Sequence, residues 1–208
     1  MLACVNDSEN AKFNDIEESE TTDPSARKQV SPDRTIYASR AILPKDGPLR
    51  VSDFGEARIG PRPYDYPAMS MSYRAPEVSL EVPWGYPIDI WCVGLVACDL
   101  LGLNKIFNAD HESGDMYEAA HLAELISVLG PPPAAFLAPN PEKAAQFWDE
   151  GGIWKDIVPI PDIGMLESLG GQMGLPPAFV KFMRRTLTWV PNERATAKDL
   201  VEDPWLKV

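Results

Sequence analysis

Apolar residues recur at helical spacing in the second half of the chain. Leu122, Leu125, Ile126 and Leu129 stand at i, i+3, i+4 and i+7, which places them on one face of a helix. We therefore predict an amphipathic helix over residues 116–129. A glycine and three prolines follow this pattern and end the helix.

A second helix is predicted directly after Pro87. Residues 88–101 are apolar almost all round, interrupted only by Asp89 and Asp99. A helix of that kind is buried on every side, and Gly102 is placed to end it. The stretch is too short and too charged to span a bilayer, so no membrane partner is expected.

Two more helices are predicted near the end of the chain, after a segment (134–175) of mixed loops with apolar anchors. The first of them follows two prolines and carries its apolar residues on one side: Phe179, Val180, Phe182, Met183 and Leu187. The second begins near Thr196. There Thr196-Ala197-Lys198-Asp199 has the Thr-x-x-acid form that satisfies two N–H groups at a helix start.

The first 50 residues show a different pattern. Residues 1–5 are a short apolar start, and residues 6–47 carry the acidic run Asp15–Glu20 with almost no periodicity. This composition is typical of a surface insertion that is partly disordered. A short strand is predicted over 34–38, and the alternation in 49–52 predicts another.

Composition narrows the classes of partner. The chain has 31 acidic and 19 basic residues, a formal charge of -12. Such a surface disfavours nucleic acid and favours basic partners, although simple solubility explains it equally well. Three cysteines without paired spacing and two histidines without a zinc pattern indicate a reduced compartment. With no basic n-region and apolar run at the start, we expect a cytoplasmic or nuclear protein.

A tripeptide with metal-binding chemistry follows the predicted strand at 49–52. In Asp53-Phe54-Gly55 the carboxylate can hold a Mg²⁺ ion that bridges nucleotide phosphates, and the glycine frees the backbone for a turn. Taken alone, an Asp-x-Gly after a strand is more often only a turn.

Three further motifs follow in order. Tyr73-Arg74-Ala75-Pro76-Glu77 ends 24 residues after Asp53. Asp89 and Trp91 open the apolar helix, where a carboxylate is favoured by the helix dipole and is otherwise a plain N-cap. Arg194 precedes the last helix. A guanidinium there suits a bidentate pair with a carboxylate, and we predict a largely buried ion pair between Glu77 and Arg194.

Together these four motifs resemble the catalytic domain of protein kinases over Leu49–Val208. Arg74 and the helix ending in Leu129-Gly130-Pro131 are similar to the CMGC group of serine/threonine kinases. The sequence resembles SR-protein kinases of fungal type more closely still. That resemblance lies in the stretches Asp53–Gly60, Trp84-Gly85, His121–Glu124 and Glu202–Leu206. The implied fold class is mostly α (α+β), the large C-terminal lobe of a kinase, with the N-terminal lobe and catalytic loop absent from the sequence.

The resemblance implies three segments: a residual strand at 1–5 after the catalytic loop, an insertion at 6–47, and the lobe at 48–208. It implies ATP and Mg²⁺ as cofactors, with Asp53 as the metal ligand and Leu2, Ser52 and Asp53 at the nucleotide. The implied activation segment includes Phe54, Gly55, Ser70, Ser72, Tyr73, Arg74, Ala75 and Pro76, and the implied structural residues are Glu77, Asp89, Trp91 and Arg194. A docking role falls to the acids Asp110, Glu112, Asp115 and Glu118, which otherwise form a solvated face.

Three interpretations of function stay open. The intact family member would transfer the ATP γ-phosphoryl group to Ser or Thr of Arg/Ser-rich or other basic proteins, as a monomer. Nothing in the 208 residues resembles a Gly-rich loop, a strand lysine or a His-Arg-Asp catalytic loop, so this chain alone is expected to be inactive. The alternatives are a catalytically inert module that docks basic protein segments, and a remnant that does not fold stably.

Overall fold

The structure is a computed structural model that describes residues 2–4, 7–38, 49–51, 53–101, 106–108 and 114–207. The chain forms two compact units, Met1–Gly60 and Pro61–Val208, which are described separately below.

Two short antiparallel strand pairs belong to the first unit. β1 (Leu2–Cys4) pairs with β4 (Leu49–Val51), with Leu2 opposite Val51. β2 (Arg27–Ser31) pairs with β3 (Arg34–Tyr37) through a two-residue turn. The strand expected from residue 34 onward is therefore present. Its partner β2 was not expected, because charged side chains hide the alternation.

A helix, α1 (Asp7–Thr22), precedes this hairpin. Its sequence has no apolar face, so the hydrophobic pattern gave no reason to expect a helix there. Beyond its end, the Glu20 carboxylate accepts hydrogen bonds from the Ser25 backbone N–H and hydroxyl, both at 2.6 Å. Whether residues 6–47 are a partly disordered insertion stays a prediction.

The regular structure of the second unit is mainly helical. Its helices are α2 (Pro76–Ser79), α3 (Pro87–Leu100), α4 (Gly114–Leu129), α5 (Ala134–Leu137), α6 (Pro141–Phe147), α7 (Leu166–Gln172), α8 (Pro177–Thr186) and α9 (Ala197–Val201). Single 3₁₀ turns lie at Met71–Tyr73, Pro191–Glu193 and Pro204–Lys207. The prediction of a mostly α fold is confirmed. Among the described residues, no helix is long and apolar enough to cross a membrane.

Helix α3 is where the predicted helix after Pro87 lies, but it is not buried on every side. Trp91, Leu95 and Cys98 are buried, whereas Val93 and Leu100 are 43% and 66% exposed. The expectation failed because an all-apolar sequence does not say how many faces find a partner within the chain. Gly102, which was expected to end this helix, lies outside the described residues.

The amphipathic helix α4 presents the predicted face to the core. Leu122 and Leu125 are fully buried, and Ile126 is nearly so. The helix also buries His121 completely. The buried face of α4 therefore includes the imidazole of His121, which the apolar periodicity did not predict to be buried.

Residues 134–175 hold three short helices where the sequence predicted loops. α6 begins after Asn140, whose side chain accepts the backbone N–H of Lys143 at 3.2 Å, with Pro141 at the first helical position. That cap is a recognisable start signal. The helices are too short for apolar periodicity to show them.

Helices α3 and α8 approach closely at Gly94. A Cβ atom there would lie 2.3 Å from Thr186 Oγ1 and 3.0 Å from Leu187 Cδ2. Cys98 and Met183 continue this contact, with their sulfur atoms 3.4 Å apart. Because Gly94 has no side chain, the backbone of α3 can pack directly against the side chains of Thr186 and Leu187.

Candidate functional site

A buried ion pair joins the end of the Tyr73–Glu77 motif to the residue before α9. Arg194 donates from its two terminal nitrogens to the Glu77 carboxylate at 2.7 and 2.6 Å. Both side chains are only 1% exposed. The pair predicted from the two motifs is confirmed, with the planar two-bond geometry that arginine and carboxylate favour.

The guanidinium of Arg194 has further acceptors around it. It donates to the backbone carbonyls of Pro87 at 2.9 Å and of Thr188 at 3.2 and 3.3 Å. The Trp91 ring lies 5.1 Å from its central carbon. These contacts satisfy the buried charge and tie the starts of α2, α3 and α9 together.

The chain just before α2 is fixed from two helices. Tyr73 donates a short hydrogen bond to the Asp99 carboxylate in α3, and that carboxylate raises the pKa of the Tyr73 phenol. The backbone carbonyl of Arg74 lies 3.0 Å from Nε2 of His121 in α4. Ser70 is exposed, Ser72 is half-buried, and Ala75 and Pro76 are buried.

An aromatic cluster holds the preceding turn. The backbones of Tyr64 and Trp84 pair at 2.9 and 2.8 Å, and the Trp84 indole N–H donates to the Tyr66 carbonyl at 2.8 Å. The three rings lie 4.8–5.6 Å apart. These contacts, with those of Tyr73 and Arg74, hold the segment 64–77 within the second unit.

A cavity of about 390 Å³ opens beside this segment. Its lining includes Asp65, Tyr66, Arg74, Trp84 and Glu118. Arg74 also donates to the Met69 carbonyl at 3.2 Å. The cavity combines aromatic walls with charges of both signs, so it suits a polar peptide segment more than an apolar ligand.

The Asp53-Phe54-Gly55 motif lies in the first unit. Asp53 has a φ of +66°, a left-handed conformation that aspartate tolerates better than most residues. The Ala57 N–H bonds to the Phe54 carbonyl at 3.0 Å, and Phe54 is 67% exposed. Of the predicted nucleotide residues, Ser52 lies outside the described residues, and Leu2 is described in backbone only, within β1.

The exposed carboxylate of Asp53 offers the hard oxygen donor that Mg²⁺ prefers. In the described ranges, no group of three or more His, Cys, Asp or Glu side chains could enclose a metal ion. One carboxylate is consistent with a Mg²⁺ ion shared with nucleotide phosphates.

Asp89 and Trp91 stand at the start of α3 as predicted. Partial burial raises the pKa of the Asp89 carboxyl, and the nearby charge of Arg62 offsets part of that rise. Trp91 is fully buried and stacks on Phe107 at 6.0 Å. Its indole N–H has no hydrogen-bond partner within the part of the chain that the structure describes.

The acids predicted to dock basic segments are only partly described. Asp110 and Glu112 lie outside the described residues, and Asp115 is described in backbone only, within α4. The Glu118 carboxylate bonds to Lys143 Nζ at 3.1 Å, and the same ammonium bonds to Glu81 at 2.8 Å. An incoming arginine at Glu118 would compete with that lysine.

Several positioning contacts were missed from sequence. They are the bonds from Tyr73 to Asp99, from His121 to Arg74, from Lys143 to Glu81 and Glu118, and from Arg185 to the buried Asp203. Tyr73, Arg74 and Glu118 had been named as site residues, and His121 and Asp203 lie in stretches that carry the resemblance, but none of these pairings was expected. Pairs that join residues far apart in sequence leave no local pattern.

The helical second unit, with a fixed segment ending in a buried Glu–Arg pair, has the architecture of a protein kinase large lobe. Residues 39–206 match the family model described as the protein kinase domain. The chain belongs to the protein kinase family.

The similarity to curated relatives indicates the branch of the protein kinase family. A serine/threonine protein kinase of Aspergillus fumigatus is 39% identical over 203 residues, covering 93% of this chain and 50% of the relative. A probable serine/threonine-protein kinase sky1 of Dictyostelium discoideum is 29% identical over 76% of this chain and 25% of the relative. SRSF protein kinase 3 of Mus musculus is 27% identical, with coverages of 76% and 28%.

The chain therefore spans about half the length of the Aspergillus relatives that it matches, and less of the others. Its relatives are serine/threonine kinases of the SR-protein-kinase and CMGC type, as the sequence motifs indicated.

Proposed function

We propose that the protein containing this chain transfers the γ-phosphoryl group of ATP to serine or threonine in basic protein substrates. The observation that supports this best is the Glu77–Arg194 pair, because it anchors the Tyr73–Glu77 motif in a chain that belongs to the protein kinase family. Catalysis of phosphoryl transfer is mostly positioning and charge neutralisation, and a rigid substrate-side segment serves the first of these.

This chain's own residues would divide the work between them. Asp53 would supply one oxygen to the Mg²⁺ that accompanies ATP, and the bound metal would neutralise phosphate charge. Tyr73 and Arg74, fixed from α3 and α4, would hold the peptide substrate. We propose that the general base, the phosphate-binding lysine and the Gly-rich loop come from sequence beyond the printed 208 residues, so that these residues alone transfer no phosphate.

The proposed substrate class rests on charge. The sequence carries a formal charge of -12, and arginine forks bind arrays of carboxylates. The name SRSF protein kinase 3 belongs to the mouse relative, and supports Arg/Ser-rich segments as the first substrates to try. The acids Asp110, Glu112, Asp115 and Glu118 remain the proposed docking face.

A second candidate function is an inert module that docks basic segments. The formal charge of -12 favours basic partners whether or not phosphate is transferred, and so supports this candidate as well. Both candidates predict binding of Arg-rich peptides, and only the first predicts turnover in the intact protein.

One experiment separates the two. The intact protein is incubated with radiolabelled ATP, Mg²⁺ and an Arg/Ser-repeat peptide, with a Lys/Ser peptide and an acidic Ser peptide as controls. Transfer to the Arg/Ser peptide that weakens at high salt supports the kinase proposal. Salt-sensitive binding without any transfer supports the docking module and contradicts the kinase.

A charge-reversal variant tests the proposed docking face, and a second one serves as its control. Reversing Asp115 and Glu118 to lysine should weaken Arg/Ser-peptide binding by about tenfold, since surface pairs contribute about 0–1 kcal/mol each. Reversing Glu142 and Glu150, which are exposed acids of the same unit, changes net charge equally. Equal weakening by both double variants would show that net charge, and not this face, binds the peptide.

A further inference from the structure

One completely buried histidine links α4 to the segment that precedes α2. His121 has no exposed surface. Its Nε2 lies 3.0 Å from the backbone carbonyl of Arg74, and its ring meets the Phe107 ring edge-to-face at 5.8 Å. Residues 47 positions apart in sequence are thus joined by one polar contact in an apolar surrounding.

The contact defines the state of the imidazole. A backbone carbonyl only accepts hydrogen bonds, so Nε2 must carry the proton that His121 donates to Arg74. In a neutral ring Nδ1 is then an acceptor, and it has no partner within the described part of the chain. Burial holds the pKa of His121 down at about 4, which keeps the ring neutral at physiological pH.

Packing alone is a poor explanation for this residue. An unsatisfied buried nitrogen costs about 1–3 kcal/mol, and a leucine or phenylalanine would fill similar space without it. The neighbours Leu122 and Leu125 are apolar and equally buried. The advantage of histidine at this position is the N–H that it directs at the Arg74 carbonyl.

The peptide unit held in this way belongs to the proposed substrate-side segment. Arg74 itself lines the cavity of about 390 Å³, together with Asp65, Tyr66 and Glu118. The Arg74 guanidinium donates to the Met69 carbonyl at 3.2 Å, and the Arg74 backbone N–H donates to the Met71 carbonyl at 3.0 Å. Releasing the backbone of Arg74 would therefore move a charged wall of the cavity.

We infer that His121 is a positioning residue, which donates a hydrogen bond from Nε2 to fix the Arg74 peptide unit and so shapes the peptide-binding cavity beside it. This inference rests on the proposed function only for the identity of the bound peptide. The hydrogen bond and its effect on the segment can be measured without phosphoryl transfer.

The first test leaves His121 and its contacts unchanged. The sequence has two histidines, His111 and His121, so selective ¹⁵N labelling gives two ring signals and a His111→Asn variant assigns them. We expect His121 as the Nε2–H tautomer, unchanged between pH 5.5 and 8. An Nδ1–H tautomer, or a ring that titrates near pH 6.5 in the folded protein, would overturn the inference.

The second test compares two variants of the same position. His121→Gln keeps an N–H donor at a similar reach, and His121→Leu keeps the volume without the donor. Amide hydrogen exchange at Tyr73 and Arg74 should accelerate about tenfold in the leucine variant, as for the loss of one hydrogen bond, and return toward the parent rate in the glutamine variant. Amides of α8 serve as the internal control. Equal exchange in the two variants would contradict the inference.

The intact protein supplies the third test. His121→Leu should raise the KM for the peptide by about tenfold, leaving kcat and the KM for ATP within about threefold, and His121→Gln should restore the peptide KM. A loss confined to kcat would overturn the assigned role. If the parent protein transfers no phosphate, the proposed function fails, while the tautomer and the amide exchange still decide the inference.

Discussion

Two ion pairs of the same chemistry differ between the two units of the chain. In the first unit, Arg58 and Glu56 meet at 2.9 Å with side chains 39% and 95% exposed. In the second unit, Arg194 and Glu77 meet at 2.6 Å with both side chains 1% exposed. Water screens the first pair almost completely and the second hardly at all. Burial, and not the contact distance, therefore determines how much each ion pair contributes to stability.

The two units also differ in the burial of their apolar residues. In the first unit Val51 and Phe54 are each 67% exposed and Ile59 is fully exposed. In the second unit the buried core runs from Ala75 to Leu200. The candidate metal ligand Asp53 thus lies in the unit with little described burial, and the residues that fix the substrate-side segment lie in the unit with the core. We therefore expect stability to depend mainly on the second unit, and we propose that Asp53 serves chemistry.

The largest expected effect comes from breaking the buried pair. Glu77→Gln leaves Arg194 buried without its counter-charge and should lower the free energy of unfolding by about 3–5 kcal/mol, as measured by urea denaturation. Glu56→Gln is the matched control and should change it by less than about 1 kcal/mol. Similar losses in both variants would remove the distinction between the units.

The next effect is a pH dependence set by His121. The pKa of this residue is about 4 when folded, against 6.5 for an ordinary histidine. Between these values the unfolded chain binds a proton that the folded chain does not, so stability is complete above pH 6.5 and falls as the pH drops toward 4.

From pH 7 to pH 5 the loss is about 2 kcal/mol, at 1.36 kcal/mol per pKa unit. His121→Gln removes the titrating group, so the difference between parent and variant isolates this contribution from other acids such as Asp89. Parallel stability curves for parent and variant across this range would show that His121 is not buried as a neutral ring.

The contact between α3 and α8 gives an effect of similar size. Gly94→Ala places a Cβ 2.3 Å from Thr186 Oγ1, and such overpacking costs about 1–3 kcal/mol. Gly171→Ala in α7 is the control, because nothing lies within 4 Å of the added carbon. There alanine should stabilise the helix by about 0.5–1 kcal/mol. Thermal melts of the two variants should therefore shift in opposite directions.

The smallest stability effect concerns a helix cap. The Thr196 side chain accepts the Asp199 N–H at 3.2 Å, and the Asp199 carboxylate accepts the Thr196 N–H at 3.0 Å. Thr196→Ala should cost about 1 kcal/mol. Thr21→Ala, an exposed threonine of α1 that bonds back to the Glu17 carbonyl, should change stability by less than about 0.5 kcal/mol. A larger effect at Thr21 than at Thr196 would contradict the ranking.

The sequence predicted those features that are either periodic or carried by motifs. The face of α4, the start of α9 at Thr196 and the pair between Glu77 and Arg194 were all expected and are present. The pair was predictable because its two motifs have fixed positions in the family, although 117 residues separate them. Physical chemistry alone would have treated Arg194 as an exposed residue before a helix.

Other features could not be predicted because nothing local encodes them. The exposure of Val93 and Leu100 depends on which helices pack on α3, and an apolar sequence does not say this. The donor role of His121 depends on a carbonyl 47 residues away. In the first unit, α1 forms without an apolar face, so the hydrophobic pattern did not predict this helix.

The separation of chemistry from stability is tested by measuring phosphoryl transfer and thermal unfolding of Asp53→Ala in the intact protein. Asp53 lies in the unit with little described burial and is the proposed metal ligand, so we expect at least a hundredfold loss of transfer to an Arg/Ser peptide, about the size expected for removing one charge-stabilising group. The midpoint of unfolding should stay within about 2 °C of the parent, as for a typical surface substitution. Transfer at the parent rate would contradict the assignment of Asp53 to the chemistry, and a cooperative loss of fold would contradict the division between the two units.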